Sequence, residues 1–91
     1  MAVSFSESVR VAPDVLFRII GDEAVLVNLN TEMYLGLNPV GTRMWNALSH
    51  AASIQVAYDE LLREYEVEPA QLRADLEEFI DQLRNHQLIE T

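Results

Sequence analysis

The sequence contains no cysteine and no lysine, and it has only two histidines and three glycines. Without cysteine there is no disulfide framework, thiol nucleophile or thiolate metal site, a composition compatible with a reducing cytoplasm. His50 and His86 lack a carboxylate or hydroxyl partner at a spacing suited to catalysis or metal ligation, and His86 suits a helix C-terminus, where the dipole favours positive charge. Gly21, Gly36 and Gly41 fit neither the G-x-G-x-x-G nor the P-loop spacing. The neighbouring carboxylates Glu77 and Glu78 lie about 100° apart on a helix and make no acid/base pair. No apolar run approaches the ~20 residues that span a bilayer, and no signal-peptide pattern opens the chain. These absences leave an enzyme, a metal site or a cofactor without support and favour a soluble cytoplasmic domain. What is present is a chain of 91 residues, 49% hydrophobic, with a formal charge of −9. A domain of this size buries only about 60 to 65% of its unfolded surface, which leaves little room for a deep pocket. From residue 59 onward ten carboxylates face three arginines. That surface repels phosphate backbones and attracts cationic partners, or serves solubility as a solvated helix face.

Periodicity organises residues 1–91 as one α+β domain. Residues 1–13 read as an extended arm that includes Val9 and Val11 and ends at Pro13. Val15, Phe17 and Ile19 alternate through a first strand, Val15 to Ile20, before the turn former Gly21-Asp22. Ala24 to Leu29 is apolar on both parities, as expected of a central strand covered on both faces. Asn30-Thr31-Glu32 forms a turn into a third strand, Met33 to Leu37, and the short connections imply an antiparallel meander. Asn38-Pro39 then caps a helix to about Ser49. Ser53 caps a second helix, Ile54 to Glu66, with one apolar stripe. Glu68-Pro69-Ala70-Gln71 resembles a capping box and starts a third helix, which carries Leu72, Leu76, Phe79, Ile80 and Leu83 to about His86. Leu88-Ile89 reads as a tail packed on the core.

Three strands and three helices can assemble like a winged helix-turn-helix, which raises DNA binding. The third helix exposes Asp75, Glu77, Glu78 and Asp81 against Arg73 and Arg84, the wrong sign for a groove. A sheet edge remains. The third strand ends the meander, so one row of its N–H and C=O groups lacks a partner and invites strand addition. Leu72, Leu76, Phe79 and Ile80 are available to wall a peptide groove beside it, although a Leu/Phe stripe at helical spacing also serves as core. The same edge allows self-pairing into a homodimer, and the acidic third helix offers a docking face for a basic protein.

The order "VLVNLNTEMYLGLNPVGTRMW" (Val25 to Trp45), then "AYDELLREYEVEPAQLRADLEEFIDQL" (Ala57 to Leu83) and a closing "LIE", resembles the coenzyme-PQQ-synthesis protein D family over nearly the whole chain. The most specific parts are Asn28, the block Tyr34 to Asn38, the Gly41, Arg43, Trp45 step and the pattern from Asp75 to Ile80. The resemblance implies a non-catalytic RiPP recognition element that captures a precursor's leader peptide and presents it to a modifying enzyme such as a leader peptidase or a radical SAM enzyme. It implies no cofactor, metal, nucleic acid or membrane. The leader would add as an antiparallel strand to the main chain of Glu32, Met33, Tyr34, Leu35, Gly36 and Leu37, with Leu72, Asp75, Leu76, Phe79 and Ile80 supplying or bordering its pockets. The Tyr-x-Gly-Leu-Asn block is more similar to stand-alone members of lasso-peptide pathways than to chaperones of the PQQ precursor. Family members often carry glycine where this chain has Glu32 and Gln87, and a side chain disfavours a left-handed turn at both. Trp45 reads as core and Arg43 as a surface or ion-pairing residue.

Overall fold

The computed structural model describes residues 4–90; the first three residues of the expected arm and Thr91 lie outside them. The elements run β1 (Val15–Ile20), β2 (Glu23–Asn28), β3 (Tyr34–Leu37), α1 (Pro39–His50), α2 (Ile54–Glu64) and α3 (Pro69–Asn85). An antiparallel sheet of order β1-β2-β3 thus precedes three helices, an α+β arrangement of the winged-helix kind. Ile20 pairs with Glu23 across a two-residue turn in which Gly21 takes φ 70°, a conformation that glycine adopts without steric cost.

The helices cover one face of the sheet, so β2 is not enclosed on both sides as its apolar run implies. Ala24, Leu26 and Asn28 are buried, whereas Val25 and Val27 on the opposite face are half-buried. Leu29 falls outside the strand and is exposed, because the chain has already turned. β1 stands furthest from the helices, and Ile19 and Ile20 are mostly exposed. Trp45 of α1 is buried and reaches Phe17, with ring centroids 6.3 Å apart.

Two of the three helix starts follow the capping chemistry read from the sequence. Asn38 Oδ1 accepts from the Gly41 N–H at 2.7 Å, and Ser53 Oγ accepts from the Val56 N–H at 3.2 Å. At α3 the capping box does not form. Glu68 makes no side-chain cap, and the Gln71 amide donates instead to Asp75 Oδ1 at 2.8 Å, its neighbour one turn on. α2 ends at Glu64, two residues short of the periodic pattern, because Tyr65 is extended.

The arm and the tail close the fold. The carbonyls of Phe5 and Glu7 accept from the Gln55 and Ile54 N–H groups, each at 2.8 Å, so the arm satisfies free donors at the start of α2. Phe5 is buried, meets Tyr58 edge-on at 5.7 Å and carries the Arg73 guanidinium 4.0 Å from its ring centre. Val11 bridges to Ile89, and Leu88 and Ile89 are buried. Among the described residues no helix is long and apolar enough to cross a membrane.

Candidate functional site

The site begins with the unpaired side of β3. The Asn28 N–H donates to the Met33 carbonyl at 2.8 Å, which makes Asn28 and Met33 a hydrogen-bonded position of the ladder. Antiparallel pairing alternates, so along the register Val27–Tyr34, Leu26–Leu35, Val25–Gly36 and Ala24–Leu37 the main-chain groups of Leu35 and Leu37 turn toward β2. Those of Tyr34 and Gly36 turn outward, where no further strand follows among the described residues. Side chains alternate too. Leu35 is half-buried and Leu37 buried on the helix side, while Tyr34, 68% exposed, and Gly36 face away.

Asn28 sets the start of this edge. The residue is 5% exposed, and both polar atoms of its side chain are used. Oδ1 accepts from the Asn30 and Thr31 N–H groups at 2.9 and 3.1 Å, its carbonyl accepts from the Glu32 N–H at 2.8 Å, and Nδ2 donates to the Gln87 carbonyl at 2.6 Å. Glu32 and Gln87, whose turn geometry the sequence leaves open, both adopt the left-handed region that a side chain disfavours. Their φ angles are 64° and 57°. At Glu32 the hydrogen bonds to Asn28 hold the turn closed. At Gln87 the Leu88 N–H bonds to the Leu83 carbonyl and the Gln87 N–H to that of Arg84, each at 2.9 Å, a Schellman closure of α3 that buries Leu88. These bonds outweigh a left-handed penalty of order 1 kcal/mol per residue.

Beside the end of β3 lies an open cleft of about 250 Å³ lined by Gly36, Leu37, Asn38, Val40, Gly41 and Met44 on one wall and by Asp75, Glu78, Phe79 and Gln82 of α3 on the other. It brings together Gly36, Leu37, Asp75 and Phe79 of the residues expected from the sequence. Leu72, Leu76 and Ile80 do not line it; they are buried in the core behind, the last two fully. Glu32, Met33, Tyr34 and Leu35 continue the edge beyond the cleft. Sequence reading missed the α1 wall and the residues Glu78 and Gln82. The last two stand three and seven positions after Asp75, a helical spacing that marks one flank of α3. A Cβ at Gly41 would sit 3.2 Å from Asn38 Oδ1, so a larger residue there would press on the cap by a few tenths of an ångström.

The cleft's two carboxylates face no cation within its lining. A two-pronged ion pair lies elsewhere: Arg43 Nε and Nη2 donate to the two carboxylate oxygens of Glu64 at 2.8 and 2.6 Å, tying α1 to α2. That hydrogen bonding holds the Glu64 carboxyl below its ordinary range and raises Arg43. Among the described residues no group of three or more His, Cys, Asp or Glu is placed to hold a metal ion.

Residues 23–89 match the family described as Coenzyme PQQ synthesis protein D (PqqD), a span that includes β2, β3, all three helices and the tail. The chain belongs to the PqqD family. A solved structure, TbiB1 in complex with the TbiA(beta) leader peptide, shares 33% sequence identity with it, covering 89% of this chain and 94% of that one at a TM-score of 0.82. No curated protein matches significantly. The PqqD match omits β1 and the arm, so the edge, the cleft and the Asn28 hub all fall within the matched span.

Proposed function

We propose that this protein is a non-catalytic adaptor that captures the leader region of a ribosomally made precursor peptide and delivers it to a modifying enzyme, in a lasso-peptide or similar pathway. One observation carries the reading: the outward N–H and C=O groups of Tyr34 and Gly36 form a strand edge that runs, at Gly36, into a cleft walled by α3, in a PqqD-family fold whose 33% identical relative is named for its complex with a leader peptide. The leader enters as a fourth, antiparallel strand. Main-chain hydrogen bonds at Tyr34 and Gly36 supply affinity, and the alternate side chains facing Leu35, Leu37, Asp75 and Phe79 supply selectivity. Leu72, Leu76 and Ile80 support that wall from within the core, and Glu32 with Met33 fixes where pairing begins.

The test is an amide-shift titration of isotope-labelled protein with the leader half of the small peptide encoded nearest its own gene. Shifts concentrated at residues 33–37 and 72–83 are expected. A titration in which those residues stay still while shifts gather on β1 or α2 would reject the strand-addition site.

A further inference from the structure

The cleft specifies more than a strand. Its buried floor is apolar, from Leu37, Met44 and Phe79, while the exposed Asp75 and Glu78 stand one turn apart on its α3 rim. Asp75 accepts only the neutral amide of Gln71, and Glu78 has no hydrogen bond or ion pair among the described residues. The arginines of α3 are engaged away from this rim: Arg73 pairs with Glu77 at 3.9 Å and covers Phe5, and Arg84 pairs with Asp81 at 3.7 Å. A guest side chain entering here therefore meets hydrocarbon below and two uncompensated carboxylates above.

Resting on the strand-addition reading, we infer that the captured segment carries an arginine or lysine at the position opposite Leu37, with its aliphatic stem on Leu37, Met44 and Phe79 and its cationic head between Asp75 and Glu78. Three observations set the register and the chemistry. Guest residues opposite Tyr34 and Gly36 point to the outer face with those side chains, so residues opposite Leu35 and Leu37 point toward the helices. Of these two, Leu37 lines the cleft and Leu35 does not. Long basic side chains satisfy an apolar floor and a charged rim together, because their stems bury while their heads stay solvated and paired. A carboxylate there would meet like charge, and a wholly apolar residue would leave the rim unused. The specificity element is thus a short strand with one fixed basic residue.

A phage-displayed library of short random linear peptides, panned against the full chain, tests this directly. Selected binders are expected to share an arginine or lysine at one fixed place. Replacing that residue by methionine should weaken binding about ten-fold, as should the double variant Asp75→Asn/Glu78→Gln, the scale of a charge-assisted contact. Both exposed carboxylates become isosteric amides, so an unchanged thermal transition shows the variant folded. Binders that need the outward N–H of Tyr34, being lost in Tyr34→Pro, yet carry no fixed basic residue or ignore the double variant would overturn the cation inference and leave peptide capture standing. Failure to select any binder sensitive to Tyr34→Pro would overturn both.

Discussion

At the scale of single residues, Asn28 decides the most. It ends β2, closes the turn that places Glu32 in the left-handed region, and reaches across to the carbonyl of Gln87. One amide thereby holds both the entry to β3 and the turn that follows α3, the two elements flanking the cleft. Asn28→Ala would leave the Asn30 and Thr31 donors without their acceptor and the Gln87 carbonyl without its donor. Buried groups left unpaired cost about 1 to 3 kcal/mol, so a loss of about 2 kcal/mol is expected, seen as a lower urea midpoint at unchanged slope. Asn28→Asp would keep the acceptor but lose the donor, and should recover only part of that loss. A midpoint for Asn28→Ala equal to the parent's would remove the residue's hub role. Asn28 was legible in the sequence only as part of a family-like block. Its function was not, because its partner Gln87 lies 59 residues away, and nothing local marks such a hydrogen bond.

At the scale of elements, alternation and capping chemistry made the sheet and helices readable. Period two marked β1, apolar runs between turn formers marked β2 and β3, and Asn38, Pro39 and Ser53 marked two helix starts. The reading failed where two local partners compete, as when Gln71 bonded Asp75 rather than closing a box at Glu68. It could not find the α1 wall, since that depends on how α1 and α3 lie relative to each other. The ladder geometry of β3 permits a sharp test of the edge. Tyr34→Pro removes an outward donor at an edge position where proline is tolerated, so stability should fall by less than about 1 kcal/mol while leader binding drops at least about ten-fold. Leu35→Pro removes a donor that faces β2 and should instead lower the unfolding midpoint sharply. If Leu35→Pro were the variant that kept stability and lost binding, the assigned ladder phase would be inverted.

At the scale of the whole molecule, two things act that no single element shows: closure of the chain ends and the net charge of −9. Phe5 was passed over in the sequence because the arm carries no periodicity near it, yet it is buried between Tyr58 and Arg73. The charge raises the question whether an arginine stabilises through its own partner or through the general field. Arg43 and Arg63 separate the two, since Arg43 is bidentate to Glu64, while Arg63 is exposed with no ion pair among the described residues. Arg43→Met and Arg63→Met each remove one positive charge, so the difference between their melting curves isolates the Arg43–Glu64 pair. The hydrogen bond from Arg43 lowers the Glu64 pKa below its ordinary 4.5. A depressed folded-state pKa means stabilisation fully present above the unfolded value and lost as pH falls through the folded one. Near neutrality Arg43→Met should therefore melt below Arg63→Met by a small margin, as befits a largely exposed pair. Well below pH 4.5 the two curves should converge. Curves that coincide near neutrality would mean that only the field matters, and a gap that persists in acid would mean that the Arg43 stem packs rather than pairs.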